Sequence, residues 1–240
     1  LLVVADLFSV SSNYLNKGSY VDAAEYDAIF QPTAADKAIM QDPDPYYRVL
    51  DLTRDTYNDA VQAYFHKCVG GYHPAKMEIY QDLIDRHMSQ GFNREVLNML
   101  NTKYIIAGQR GQEPQPMPNP GACGNAWFVE EVKWANTADE EMNGLNAPGI
   151  GDTAEVPGAF DARKTAVIRT TFKKDLEGYN FGKDSAANIH LSQYGLDDLT
   201  FESNNSKDGL AVFSDIYYQK GWKAYIDDHE TPIIRANYVL

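Results

Sequence analysis

The chain has 240 residues, 44% of them hydrophobic, and a formal net charge of −13, which is enough apolar material for one large or two small cores. The acidic balance excludes a nucleic-acid-binding role, which needs cations to neutralise phosphates, and argues against a domain lying flat on an anionic membrane. Sixteen tyrosines favour half-wet surfaces and carbohydrate-like or protein partners over a dry core alone.

In chain order, the continuous apolar residues of 1–7, broken by Asp6, read as a short buried strand. Residues 9–17 are polar and turn-rich, and 19–30 specify no element. Thr33 with Asp36 three residues on forms a capping-box start for a short helix through Met40, and Asp42-Pro43-Asp44-Pro45 ends it. Tyr46–Leu52 reads as a second strand.

The next stretch, Tyr64 to Lys76, is the candidate site. It holds His66, Lys67, Gly70, Gly71, Tyr72 and His73. His73 sits where an N-cap would, and Pro74 suits the first helical position. Behind it Met77, Tyr80, Ile84 and Met88 recur at helical spacing with Leu83 beside them. Asp82 and Arg86 form an i,i+4 pair, and Gly91 can end the helix in the left-handed region. Imidazoles can donate to phosphate or sugar oxygens. The paired glycines let backbone N–H groups approach a ligand. A helix N-terminus favours an anion in the same place, and Lys67 and Lys76 add positive charge. The alternative is a tight loop packed on its own helix, with His73 as cap and His66 as a satisfied core residue.

Arg94–Leu100 reads as a short helix opened by Asn93, and Lys103–Ala107 as a strand. Between Glu113 and Gly121 four of nine residues are proline, which predicts a stiff surface loop. Trp127–Val132 reads as one strand, and Thr137 with Glu140 as a capping box over another short helix. Strand–helix alternation over this part predicts a small, mostly parallel α/β layer. Gly144–Gly158 is rich in Gly, Ala and Pro and reads as a linker, and Lys164–Phe172 as a strand. From Ala187 onward strands follow one another without helices: period-2 alternation recurs at Ile189/Leu191, Leu199/Phe201 and Trp222/Ala224/Ile226, and Leu210–Phe213 is a continuous apolar run. Asp227-Asp228-His229 reads as a turn into the alternating run Ile233–Leu240. The expectation is therefore an α+β chain: an α/β domain over 1–143, a linker with connecting strands over 144–186, and a truncated antiparallel β-sandwich portion over 187–240. Both ends read as cut from something longer. No apolar run approaches the roughly 18–20 residues of a membrane helix.

Chemical motifs are sparse. There is no Walker loop, no dinucleotide fingerprint and no nucleophile elbow. Cys68 and Cys123 are compatible with one disulfide or with two buried thiols, and neither lies in a CxxC pair. The runs Asp139-Glu140-Glu141, Asp197-Asp198 and Asp227-Asp228 read as solvated faces or turns. Asp6 and Asp51 read as loop-capping residues at strand ends. No cofactor, metal or catalytic residue is expected.

Several blocks resemble the YfhO family of bacterial multi-pass membrane proteins, in its Bacteroidetes-type branch. They are Tyr46-Tyr47-Arg48-Val49-Leu50, Tyr64 to Lys76 with Tyr80-Gln81-Asp82-Leu83-Ile84-Asp85, Met99 to Tyr104, Gly124 to Val129, Ala211 to Tyr218 and Gly221 to Asp227. They keep their order from about residue 46 to the end. Cys68 departs from the pattern, standing where a small polar residue is expected, and Asp228 stands where a turn Gly is expected. The resemblance implies a parent similar to GT-C glycosyltransferases, with many membrane helices and a lipid-linked sugar donor. This chain would be its extracytoplasmic (periplasmic) domain, anchored at the cell membrane and partnered by the parent's own transmembrane region. It would shape the acceptor or lipid-linked sugar site without catalysing transfer. The competing expectation is a glycan- or partner-binding module of the cell envelope.

Overall fold

The computed structural model describes residues 2–108, 111–154 and 156–240. Thr33 opens the well-packed part of the chain. Its hydroxyl accepts the Asp36 N–H, and the Asp36 carboxylate accepts the Thr33 N–H, completing the expected capping box. The helix it starts, α3 (Ala34–Ile39), buries Ala35 and Ile39 against Val49 and Ile106.

Those two partners lie on β1 (Arg48–Asp51) and β2 (Thr102–Ala107), which pair in parallel. β3 (Gln115–Pro118) pairs antiparallel to β2 and closes a mixed sheet in the order β1-β2-β3. The expected proline loop is thus in part a strand. Prolines at alternate positions remove N–H groups of one parity only, and an edge strand can spare those that face away from its neighbour.

Three short helices lie between β1 and β2 in the chain, α4 (Gln62–Phe65), α5 (Glu78–His87) and α6 (Arg94–Met99), and α6 packs against β2. Asn93 joins two of them. Its Oδ1 accepts the N–H groups of Glu95 and Val96 at the start of α6, while its Nδ2 faces His87 Nδ1 at 3.2 Å and donates to the Leu145 carbonyl at 2.8 Å. His87 Nε2 lies 2.9 Å from the Met142 carbonyl, so the neutral tautomer with its proton on Nε2 satisfies both contacts. Burial lowers the His87 pKa against the opposing pull of that carbonyl.

The segment expected as one strand over 127–132 is two. β4 (Ala126–Val129) pairs antiparallel with β9 (Leu210–Phe213). After Glu130, β5 (Glu131–Ala135) pairs in parallel with β6 (Thr165–Arg169). The switch occurs where the Glu130 and Glu131 N–H groups both turn to the Lys164 carbonyl. The helix α7 (Ala138–Asn143) follows β5, with Thr137 accepting the Glu140 N–H; the Glu140 carboxylate reaches Asn136, one residue short of a full box. β7 (Asn188–Tyr194) and β8 (Leu199–Asn204) form an antiparallel hairpin, as do β10 (Ala224–Ile226) and β11 (His229–Thr231).

The chain is α+β, with five small sheets among the described residues. Both β4–β9 and β5–β6 join a strand before the Gly144–Gly158 stretch to one after it. One apolar cluster includes Leu50, Leu97, Leu145, Val167, Val212 and Leu240. That cluster draws residues from both sides of 144–158, and within the stretch Leu145 is fully buried and the Ile150 N–H bonds the Phe92 carbonyl. The strand expected over 233–240 is instead an irregular buried segment. The Asn237 N–H donates to the Val167 carbonyl while its side chain accepts the Val167 N–H. Glu141, fully buried, accepts from Arg235 and from the Tyr238 N–H, and burial raises its pKa against the pull of Arg235.

The N-terminal expectation also changes. Residues 2–14 form a helix, α1 (Leu2–Tyr14), and no residue of it is buried. A strand there would need a neighbour for its ladder, whereas a helix satisfies its backbone internally. A short helix, α2 (Ala23–Ile29), capped by Asp22, follows and is also unburied.

Candidate functional site

The stretch Tyr64–Lys76 does not open a helix at His73. α5 begins at Glu78 after Met77, which has extended backbone and makes no side-chain cap. His73 and Pro74 lie in an exposed loop, with Tyr72 61% exposed beside them. The helix ends at His87, before Gly91, and Asp82 and Arg86 do not pair with each other. Asp82 accepts the Tyr238 hydroxyl at 2.7 Å, and Arg86 donates to Asn143.

The stretch divides by burial. His66 points inward: its side chain is 4% exposed and Nε2 lies 2.8 Å from Asp36 Oδ1. The remaining Asp36 oxygen holds Thr33. The glycines serve packing. A Cβ on Gly70 would stand 2.0 Å from the Thr56 carbonyl oxygen. Gly71 has φ +93 and donates its N–H to that same carbonyl at 2.6 Å. Between them, Lys67 and Val69 exchange backbone bonds with Val49, extending the β1 edge by one bridge. Of the N–H groups expected for an anion, that of Gly71 is spent on Thr56, and no helix N-terminus stands at Pro74 to supply the others.

Lys67 alone of the six turns outward onto a built surface. Its ammonium lies 4.8 Å from the centroid of Tyr194 and 5.3 Å from that of Tyr46, and it donates to the Pro45 carbonyl at 3.2 Å. The two rings stack at 4.8 Å with 29° between planes. Tyr46 donates its hydroxyl to Asp215, and burial and that carboxylate together raise its pKa. Arg48 braces the base of this platform through the Leu100 and Ser214 carbonyls. Tyr194 and Asp215 were invisible as site residues, since each reaches the platform from a distant part of the chain and neither lies in a chemical motif.

Both cysteines are free thiols, and burial pushes each up to about 12, helped at Cys68 by Asp51 and Asp36. Asp51 caps the turn after β1 by accepting the Thr53 N–H and hydroxyl.

A second candidate lies between β4 and β7. It is a cleft of about 300 Å³ lined by Trp127, Phe128, Glu130, Gly182, Asn188 and Lys207, among others. Another, wider hollow holds Asp82, Asp85, Arg86, Asp139 and Tyr238. Two of its polar groups already bond to each other, and its Arg86 donates to Asn143 on the rim. Among the described residues no group of three or more His, Cys, Asp or Glu could hold a metal ion. No described helix is long and apolar enough to cross a membrane. No protein-family profile, curated protein or solved structure matches the chain.

Proposed function

We propose that this chain is an extracytoplasmic domain of a multi-pass membrane protein resembling GT-C glycosyltransferases, held at the cell membrane beside the parent's transmembrane region. In this reading it shapes the site for an acceptor or lipid-linked sugar and is not itself catalytic. β1–β2 and β5–β6 then belong to a parallel layer, and β4–β9 with β7–β8 to an antiparallel sandwich.

The observation that carries the reading is the Lys67 platform. An ammonium held over two stacked tyrosines, with donor capacity beyond its one carbonyl bond, suits a sugar phosphate: the charge meets the phosphate and the ring edges meet the sugar. The exposed apolar side chains of α1, among them Leu2, Val3, Leu7 and Phe8, are consistent with a membrane-embedded neighbour. The test uses the full-length parent. Lys67→Ala and Tyr194→Ala are expected to reduce envelope glycan transfer at least several-fold with normal expression, while Tyr72→Ala, outside the platform, leaves it near wild type. Unchanged transfer in both platform variants would overturn the reading.

The cleft beside β4 favours the second reading, a glycan-binding module of the cell envelope, because it combines aromatic and amide groups in one concavity.

A further inference from the structure

We propose that the cleft between β4 and β7 binds a single pyranose unit carrying a carboxylate, a hexuronate. This deepens the glycan-binding reading and rests on it.

The cleft has an aromatic floor. Trp127 is fixed by its indole N–H, which donates to the Ala162 carbonyl at 2.8 Å. Phe128 lies over Gly209, where a Cβ would come within 2.6 Å of the ring. The absent side chain thus leaves the ring in place as a wall of the cleft. A flat apolar surface of this kind receives the C–H face of a sugar.

The polar lining is unequal in what it has left to offer. Asp184 accepts the Ser206 N–H at 2.7 Å, its hydroxyl at 2.9 Å and the Ala186 N–H at 3.0 Å. Asp208 accepts the Asn180 N–H at 3.5 Å, and Glu130 lies 3.6 Å from Lys183 Nζ. Arg163 donates to the Gly121 and Ala122 carbonyls. Asp184 and the guanidinium are therefore engaged within the protein, while Asp208 and Glu130 are held only by long contacts at the rim. Lys207 differs: among the described residues its ammonium makes no hydrogen bond and no close ion pair, and its charge acts on Asp184 only at a distance, helping after the Ser206 and Ala186 bonds to lower that carboxyl. It stands across from Gly182, 3.9 Å from where a Cβ on that residue would be. The Asn188 side-chain amide, at the start of β7, is likewise without an internal partner. The unspent groups are thus one cation and one amide above an apolar floor. That set matches a ligand with one anionic group, several hydroxyls and one apolar face. A cavity of about 300 Å³ is at the small end of ligand sites, which suits a single sugar ring.

The test titrates the 240-residue chain with glucuronate and, separately, with glucose, following backbone and indole N–H signals by NMR. Glucuronate is expected to give saturable shifts at Trp127, Gly182 and Lys207, with glucose roughly tenfold weaker, the factor a charge-assisted bond supplies. Lys207→Gln should erase that preference. Gly182→Leu should abolish binding by filling the cleft, with an unchanged melting temperature, because its Cβ meets only ordinary contacts. Equal binding of both sugars, or a preference that survives Lys207→Gln, overturns the hexuronate assignment and leaves the glycan reading standing. Binding that survives Gly182→Leu overturns the cleft as the site. Absence of shifts with either sugar overturns the hexuronate inference, while the reading built on the Lys67 platform falls separately, only if both Lys67→Ala and Tyr194→Ala leave transfer in the parent unchanged.

Discussion

Asp36 spends both carboxylate oxygens inside the protein, one on Thr33 and the other on His66. Burial raises its pKa, but the bonds from Thr33 and the His66 ring outweigh that, and the net shift is downward. A carboxylate with a lowered folded pKa stabilises fully above its unfolded value, about pH 4, and loses that contribution as the pH falls through the folded value. Asp36→Asn is therefore expected to lower stability at pH 7 by about 1–3 kcal/mol and to flatten the loss of stability below pH 4, measured by urea unfolding across pH 2–7. Wild-type midpoints throughout would show that the pair contributes nothing. At this scale the sequence was informative about Asp36 as a cap, because a capping box is local. It was silent on the Asp36–His66 bond, which links two residues thirty positions apart that no periodicity relates. The same limit hid Tyr194 from the Lys67 platform.

Among the elements, those with local signatures were legible: α3 and α6 through Thr33 and Asn93, β1, β2 and β9 through apolar runs, and β7, β8 and β10 through alternation. Elements decided by tertiary neighbours were not. Leu2 to Phe8 is apolar enough for a strand but has no strand beside it, so it coils. Gln115–Pro118 looks like a loop but borrows the free edge of β2. Glu130 gives no sign that the chain changes sheets there. The β10–β11 turn is a mixed case. Its position was readable, and its geometry explains the departure at Asp228: Asp227 and Asp228 have φ of 49° and 67°, the left-handed pair of a two-residue hairpin. A side chain in that region costs roughly 1 kcal/mol. Asp228→Gly is accordingly expected to stabilise the hairpin by about that much, read as increased amide protection at Ala224 and Thr231. Unchanged or weaker protection would count against the turn geometry.

For the whole molecule, strand pairs and a shared apolar cluster span the stretch expected to divide it. Residues that share one close-packed interior unfold together. Urea transitions followed by far-UV circular dichroism and by fluorescence of Trp127 and Trp134, both in or against that cluster, are expected to coincide. Two separated midpoints would restore the division at 144–158. α1 and α2 lie outside this cooperative unit, since neither buries a residue.

The segment around Asn237 carries a consequence for how the protein is made. Val167 gives its N–H to Asn237 and takes the Asn237 N–H in return, across a separation of seventy positions, and Val239 and Leu240 are buried with it. A polypeptide leaving the ribosome presents β6 long before residues 236–240 exist. Until they arrive, the surface of β6 has neither its polar partner nor its apolar cover. Nascent chains stalled short of residue 236 should therefore be held by chaperones and cut readily by protease, and chains extended so that residue 240 has left the ribosome should resist it.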